Sequence, residues 1–423
     1  MKRFLVIGLS ALLLVSCANK GPVAPKEGRQ SVIEQPVQLI KTKEKPALAK
    51  AQKIKDWRAL NGDAANAKVP AKVNGEMAYL KSVSVGKGTD IKNQTMAGPI
   101  VIQDIAYTLD SLFNLQATDL KTGEKLWRKS FMKITGTQAK SIGLASDGKK
   151  IYAVAGNGVV LATDLVGNAD WIRELNTPLR SAPIVDKGKV FISSLNNELF
   201  VLDADNGKTL WQYADERTMT NFFGLGSPAV ADSVLVVPTT NGRVNAFDVE
   251  TGVLLWTENM WTKKVFNPIL DMPHMTAAPV IEGKHVYLVG NAGKSGAYLL
   301  SNGTQLFQAG IGGRETPIIG GNALYIITNQ NQLVALNKNQ GEQFWSIPLS
   351  SSETDKSETI WYGPVLVNES VVVTSNKGDL VFYDAKTGQE IRRDLQKPFV
   401  GSSVFSGDTM LILNAKGNLL FYQ

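Results

Sequence analysis

The chain has 423 residues, a formal net charge of +7, two histidines and one cysteine. A single thiol excludes a framework of internal disulfides, and so few histidines and cysteines disfavour zinc and thiol chemistry. The length is sufficient to bury a large hydrophobic core, so a stable fold does not require covalent cross-links.

The amino terminus has the three parts of a bacterial lipoprotein signal. Residues 1–3 carry positive charge, residues 4–15 are almost entirely apolar, and Leu14-Val15-Ser16-Cys17 follows. An apolar run of about a dozen residues fits a signal-peptide core and is too short to span a membrane. The pattern predicts a signal peptide over 1–16 and lipidation of Cys17; an ordinary secretory signal is the alternative. Ala18, where aspartate would favour inner-membrane retention, predicts the periplasmic face of the outer membrane.

The positive charge is concentrated just after the cysteine. Residues 18–55 hold nine Lys or Arg against three Glu, with four prolines and no aromatic residue. The rest of the chain is close to neutral, which disfavours nucleic-acid binding. Because residues 17–55 show no sustained periodicity, they are predicted to form a flexible tether. Their lysines either contact anionic headgroups or only keep a linker soluble.

A repeated unit fills residues 56–423. Its phrase appears as ATDLKTGEKLW at 117–127 and as VLDADNGKTLW at 201–211, and successive copies lie 38 to 51 residues apart. The copies end at Trp127, Trp171, Trp211, Trp256, Phe307, Trp345 and Ile391. Turn residues inside the unit at 181–213 divide it into four antiparallel strands. Four strands in about 43 residues are typical of a β-propeller blade.

Counting the units predicts an all-β, eight-bladed propeller. The last unit stops at Gln423 after three strands, and NGEMAYLKSVSV at 74–85 resembles a fourth strand. This N-terminal strand is predicted to join the last blade, which would remove the open sheet edge. The recurrent tryptophans are interpreted as packing residues between blades, and the recurrent aspartates as turn-forming residues.

The candidates for catalysis are weak. His285 lies in the predicted strand KHVYLV, and His274 follows Asp271 in the loop FNPILDMPHMTAAP. A base–acid pair in that loop is conceivable, but a polar surface pair is the simpler interpretation. The Gly-rich GNAGKSG at 290–296 lacks phosphate-loop spacing and predicts a hairpin turn. No catalytic, cofactor-binding or metal-binding residue is therefore assigned, and the chain is not predicted to be an enzyme.

The repeat A-x-D-x-x-T-G-x-x-x-W resembles that of the quinoprotein-type β-propellers, which include dehydrogenases that use pyrroloquinoline quinone. Many of these enzymes carry adjacent cysteines at the cofactor, and this chain has no cysteine after Cys17. Together with the lipoprotein signal, the tether and DWRALNGDAANAKVP at 56–70, the repeat is similar to the BamB family of outer-membrane assembly lipoproteins. The family's Gly-Gly-Asn and His are replaced here by Asn61-Gly62-Asp63 and Ala67.

This resemblance implies a scaffold that binds the POTRA region of a BamA-type barrel protein. It would act with other assembly-complex lipoproteins and help nascent outer-membrane proteins fold and insert. Family members use a Leu-x-Leu-Arg loop and an Asp-x-Asp loop for this contact; the matching stretches, 218–228 and 270–279, keep neither motif. Phe222 and Phe223 lie near the Leu and Arg positions, and His274 and Thr276 lie near the two Asp positions. The partner contacts predicted in these two stretches are Asn221, Phe222, Phe223, Asp271 and His274.

Two other functions stay open from the sequence. A periplasmic quinoprotein-like oxidoreductase would need a carboxylate and a cofactor-stacking tryptophan at the centre of the ring. A lipoprotein that binds carbohydrate or peptidoglycan would need a cleft lined by exposed aromatic side chains. Addition of client strands to blade edges by β-augmentation is a further hypothesis.

Overall fold

The computed structural model describes residues 39–89, 97–135, 140–217, 224–261, 273–352 and 358–423. Within these ranges the chain forms eight four-stranded antiparallel sheets and one short helix, α1 (Met132–Thr135). The prediction of an eight-bladed propeller is confirmed.

Strand β1 (Tyr79–Ser84) precedes the first blade in the sequence and belongs to the last one. Each of the next four blades is built from four consecutive strands. These strands are β2 (Ala97–Ile102), β3 (Ile105–Leu109), β4 (Asn114–Asp119), β5 (Lys125–Ser130), β6 (Ser141–Ser146), β7 (Lys150–Ala155), β8 (Val159–Asp164), β9 (Ala169–Glu174), β10 (Ile184–Asp186), β11 (Lys189–Ser193), β12 (Glu198–Asp203), β13 (Thr209–Ala214), β14 (Ala229–Ala231), β15 (Val234–Pro238), β16 (Arg243–Asp248) and β17 (Leu254–Asn259).

Blades 5 to 7 repeat this arrangement, and blade 8 contributes three strands of its own. The strands are β18 (Val280–Glu282), β19 (His285–Val289), β20 (Ser295–Leu299), β21 (Gln305–Ala309), β22 (Ile318–Gly320), β23 (Ala323–Ile327), β24 (Gln332–Asn337), β25 (Gln343–Pro348), β26 (Trp361–Val367), β27 (Ser370–Ser375), β28 (Asp379–Asp384), β29 (Glu390–Leu395), β30 (Val404–Ser406), β31 (Thr409–Leu413) and β32 (Asn418–Tyr422).

The first strand of each blade is innermost and the fourth is outermost. First strands of neighbouring blades, such as β2 and β6, contact each other around the axis. They are almost fully buried, whereas fourth strands such as β13 alternate between half-buried and exposed side chains. Apolar first to third strands therefore form the core between blades, and solvent reaches the rim.

The ring closes through the two ends of the propeller sequence. Strand β1 pairs antiparallel with β32, with Tyr79 opposite Tyr422 and Ser84 opposite Asn418. The sheet order is β1-β32-β31-β30, so β1 is the outer strand of blade 8. The predicted closure by an N-terminal strand is confirmed.

The recurrent tryptophans pack between blades, as predicted. Each indole lies against the glycine of the turn between the third and fourth strands of the next blade, for example Trp211 against Gly252. In four of these tryptophans, Nε1 also donates to a main-chain oxygen of the next blade. These bonds are Trp171 to Ala204 (3.0 Å), Trp211 to Val249 (2.9 Å), Trp256 to Leu300 (2.8 Å) and Trp345 to Ala385 (3.2 Å).

The recurrent aspartates shape those same turns. Oδ1 of Asp248 accepts hydrogen bonds from the amides of Glu250 (3.1 Å) and Thr251 (2.8 Å). In blade 7, Oδ1 of Asp384 accepts the equivalent bonds from the amides of Lys386 (3.0 Å) and Thr387 (2.8 Å). The aspartates are therefore structural Asx residues.

The ring has two ends with different loops. We call the end that carries the turns between first and second strands, and between third and fourth strands, the hairpin end. The other end carries the turns between second and third strands and the connections between blades, and we call it the crossover end.

Candidate functional site

The loops predicted to contact a partner lie in the sequence between β13 and β14 and between β17 and β18. Their described parts, residues 224–228 and 273–279, are at the crossover end. Asn221, Phe222, Phe223 and Asp271 lie outside the described residues, as does Cys17. His274 is described: its side chain is 1% exposed, and burial lowers its pKa.

The described parts of the two loops are hydrogen-bonded to each other. The amide of Gly226 donates to the main-chain oxygen of Met275 at 2.9 Å. The hydroxyl of Thr276 continues the contact to the main-chain oxygen of Arg314 in the next connection, at 3.0 Å. The sequence separates these loops by about 50 residues, and the structure places them side by side on blades 4 and 5.

An ion-pair network supports the base of the first loop. Arg243 contacts Asp215 and Glu216, each at 3.2 Å, and Arg217 contacts Glu198 at 3.3 Å. Sequence reasoning missed these residues because the partners are 19 to 28 positions apart and belong to different strands. They fix the chain immediately before residue 218.

A second segment of interest lies at the hairpin end, where residues 54–71 run around the axis. We call this stretch the axial segment. It meets the blades in the order 8, 1, 2, 3, 4, 5, 6 and 7, and Ala59 and Ala67 provide apolar contacts at blades 3 and 6. Main-chain hydrogen bonds join the segment to blades 8, 1, 2, 4, 5 and 7. In that order, they are Gly407 N to Ile54 O (2.7 Å), Trp57 N to Val101 O (2.8 Å), Ser146 N to Arg58 O (2.8 Å), Val230 N to Ala64 O (2.8 Å), Ile281 N to Ala65 O (2.9 Å) and Ala71 N to Leu366 O (2.9 Å).

Polar side chains of the axial segment reach into the ring. The Asn66 side-chain amide donates to the main-chain oxygens of Pro228 (2.9 Å) and Pro279 (3.1 Å). Asn61 in turn donates to Oδ1 of Asn66 at 3.2 Å and to the Thr316 hydroxyl at 3.4 Å. These bonds explain why the segment carries buried asparagines: Asn66 satisfies two buried main-chain oxygens, and Asn61 holds the side chain of Asn66 in place.

A buried lysine of this segment, Lys68, interacts electrostatically with the carboxyl group of Glu315. Burial lowers the pKa of Lys68 to about 8, although the charge of Glu315 opposes the shift. Burial raises the pKa of Glu315 to about 7. The hydrogen bond from the Gly363 amide and the positive charges of Lys68 and Arg314 oppose this rise. Burial and Glu315 together raise the pKa of Tyr362 to about 12. Burial therefore shifts the pKa values of Lys68 and Glu315 towards each other, each in the direction that favours the uncharged form.

Residues 39–53, predicted as part of the flexible tether, contact the blades. Gln343 exchanges main-chain bonds with Ile40 (2.8 Å) and Thr42 (3.0 Å). The Ala47 amide donates to Oδ1 of Asn322 at 2.7 Å. The predicted boundary at residue 55 differs from the structure because these contacts use the main chain, which leaves no apolar periodicity in the sequence.

The comparison with protein-family models identifies the relatives of this fold. The model for "Outer membrane protein assembly factor BamB" matches residues 113–347 and 300–423, which is well over half of the chain. The chain belongs to the BamB family.

Sequence relatives agree with this membership. The BamB of Yersinia pestis is 24% identical over 314 residues, covering 72% of this chain and 78% of that protein. The BamB of Burkholderia pseudomallei is 22% identical over 354 residues, covering 81% and 87%.

Solved structures share the fold. BamB from Moraxella catarrhalis matches with a TM-score of 0.69 at 18% identity, covering 82% of this chain and all of that chain. The quinohemoprotein alcohol dehydrogenase of Comamonas testosteroni also reaches 0.69, at 14% identity, covering 88% and 81%. At these identities the likeness concerns the fold alone, which is common to BamB proteins and to quinoprotein enzymes.

A cofactor of the quinoprotein type needs a pocket large enough to hold a tricyclic ring system. A pocket at the crossover end of blades 6 and 7, lined in part by Arg314, Glu315, Asn329 and Trp361, has a volume of about 80 Å³. Sites for small molecules usually measure about 300–1,000 Å³, so this pocket does not fit a tricyclic quinone. Within the described ranges, no three His, Cys, Asp or Glu side chains are grouped to hold a metal, and no helix is long and apolar enough to cross a membrane.

Proposed function

We propose that this BamB-family protein is a non-enzymatic scaffold of the outer-membrane β-barrel assembly complex. It binds the POTRA region of a BamA-type protein, acts beside the other lipoproteins of the complex, and assists the folding and insertion of outer-membrane proteins. The observation that carries the proposal is the direct bond between its two partner loops, Gly226 N to Met275 O, in a chain of this family.

The joined loops form one surface rather than two. Loops on a rigid scaffold are the usual place for binding residues, and the blades hold both ends of each loop. The ion pairs of Arg243 with Asp215 and Glu216 fix the start of the first loop. His274 is buried, so it supports the second loop from inside, and the side chains offered to a partner would come from Asn221, Phe222, Phe223 and Asp271.

The anchor is proposed at Cys17. Lipidation there would attach the protein to the periplasmic face of the outer membrane, because several acyl chains give stable anchoring. Replacing Cys17 by serine removes the only thiol of the chain and hence the acyl acceptor. We expect the C17S protein to be released from envelope membranes by washing, and wild type to stay with them; equal release would contradict the anchor.

Clients have a separate surface available. Each fourth strand forms the edge of its sheet, and several of these edges expose a leucine, namely Leu126, Leu210, Leu255 and Leu306. An extended client strand could add to such an edge through main-chain hydrogen bonds. Proline substitutions on the outer strands should then slow assembly of outer-membrane proteins, and unchanged assembly would remove this part of the proposal.

Site-specific crosslinking tests the partner surface in the full-length, membrane-anchored protein. A photoreactive residue at position 222 or 276 should capture a barrel protein with POTRA repeats. Position 397, in the connection between blades 7 and 8 at the same end of the ring, is the matched control and should not. Capture at position 397 alone, or of no POTRA protein from any position, would contradict the assignment, and quinone and glycan binding would be tested next.

A further inference from the structure

A strip of lysines lies along the hairpin end between blades 6 and 8. It occupies residues 41–55, where the only acidic residue is Glu44. All six of its lysines are exposed: Lys41, Lys43, Lys45, Lys50, Lys53 and Lys55. We call these residues the lysine strip.

The blades hold the main chain of the strip in place. Its beginning is tied to Gln343 through the amide of Thr42 (3.0 Å). Its middle is tied to Asn322, whose amide donates to the main-chain oxygen of Ala47 at 3.0 Å and whose side chain accepts from the Ala47 amide. The lysines therefore form a fixed surface rather than a set of charges on a free coil.

Little of this charge is neutralised by the protein. Lys53 pairs with Asp408 at 3.0 Å. None of the other five ammonium groups has a carboxylate partner among the residues that the structure describes. A cluster of uncompensated lysines attracts an anionic surface, and a bilayer surface can meet all of them at once.

We propose that the lysine strip binds the anionic phospholipid headgroups of the membrane that carries the anchor. This inference rests on the proposed lipidation of Cys17. The strip begins 24 residues after that cysteine, so the intervening chain spans at most about 85 Å even when fully extended. The hairpin end then faces the bilayer. The partner loops at the crossover end face away from the membrane, where a soluble POTRA region can reach them.

The test uses the full-length lipidated protein reconstituted on two kinds of vesicle. The first kind is pure phosphatidylcholine, which has no net charge. The second contains about 30% phosphatidylglycerol, whose anionic headgroups give the bilayer a negative surface potential. The measured quantity is the rate at which an amine-reactive reagent labels Lys55 and Lys72, both exposed at the hairpin end. Mass spectrometry reports each lysine separately.

Two variants that lose the same number of positive charges distinguish an effect of the lysine strip from an effect of the protein's net charge. The strip variant is K41Q/K43Q/K45Q/K50Q. The control variant changes four exposed lysines outside the hairpin end, K129Q/K133Q/K397Q/K416Q. On anionic vesicles we expect Lys55 and Lys72 to react at least about threefold more slowly in wild type and in the control variant. The strip variant and wild type in 0.5 M salt should lose this protection, since salt screens the attraction.

A flotation assay, which measures binding of the protein to the vesicles, distinguishes failure of the anchor proposal from failure of the strip proposal. Wild type that floats with both vesicles, yet shows equal labelling rates on both, would overturn the strip proposal and leave the anchor standing. Wild type that floats only with phosphatidylglycerol vesicles would contradict the anchor and support the strip. Equal protection in the strip and control variants would also overturn the proposal, because the effect would then be one of net charge.

Discussion

Gly252 lies so close to the indole ring of Trp211 that a Cβ atom on the glycine would meet ring carbons at 2.9 Å. The glycine also has φ of +72°, which disfavours any residue with a side chain. The contact recurs between other blades, for example between Trp171 and Gly207, where the corresponding distance is 2.6 Å. One glycine thus meets two requirements, a left-handed turn and a place for the indole of the preceding blade.

Comparing the stability of the variants G252A and G283A should separate the cost of the left-handed turn from the cost of crowding the indole. Gly283 also has positive φ, +56°, but a Cβ there would meet nothing within 4 Å. We expect G283A to lower the free energy of unfolding by about 1–2 kcal/mol, the cost of a left-handed residue. G252A should cost about 2–5 kcal/mol because overpacking adds to that cost. Equal losses in denaturant titrations would show that the indole moves aside freely.

Asn66 should be a major stabilising residue of the axial segment. N66A would remove two donors and leave the oxygens of Pro228 and Pro279 without them, at a cost of about 2–4 kcal/mol. Asn339, exposed on the turn before β25, provides the control, and N339A should change the free energy of unfolding by less than about 0.5 kcal/mol. Similar values for the two variants would contradict a clamping role of Asn66.

The stability of the protein should show a pH dependence that originates at Lys68 and Glu315. The pKa of Glu315 is raised from 4.5 to about 7, so the folded state binds its proton more tightly and stability falls as pH rises between these values. The pKa of Lys68 is lowered from 10.5 to about 8, so stability rises again between pH 8 and 10.5. The pair therefore contributes a minimum of stability between about pH 7 and 8.

The variant E315Q tests this dependence, with E76Q as a control at an exposed carboxyl group. Thermal unfolding of E315Q across pH 5–8 should lack the fall in stability that wild type and E76Q show. A wild-type profile that rises steadily through this range, or an E315Q profile parallel to wild type, would contradict the assignment to Glu315.

Hydrogen exchange should distinguish the axial segment from a loose linker. The amides of Trp57 and Ala71 donate to main-chain oxygens of blades 1 and 7. We expect them to exchange only when the ring opens, at rates close to those of amides in central blade strands, such as Val236 of β15. Exchange at the rate of an unstructured peptide would show that the axial segment detaches without loss of the ring.

The blades could be predicted from the sequence because each is encoded locally. Four strands, two kinds of turn and an inter-blade tryptophan recur at regular intervals, and β1 matched a missing fourth strand by its own pattern. The axial segment has no such signal. Asn66 and Lys68 find their partners at Pro228, Pro279 and Glu315, more than 160 positions away, and no periodicity reports such contacts.

The partner surface was predictable only in part, for a related reason. The loops were located by their position before each blade's opening proline, but the bond between Gly226 and Met275 depends on how two blades are placed in space. His274 illustrates the limit. A histidine in a polar loop suggests a surface residue, and only the packing of blades 4 and 5 shows that it is buried.

The pairing of Tyr79 with Tyr422 also determines when the protein can be completed during its synthesis. Strand β1 is made before every strand of blades 1 to 7, and its partner β32 is made after all of them. No closed ring can form until β32 has left the ribosome, so β1 waits without a partner while seven blades are synthesised. Loss of residues 419–422 would leave β1 without most of its partner, and the seven blades before it would then form an open arc.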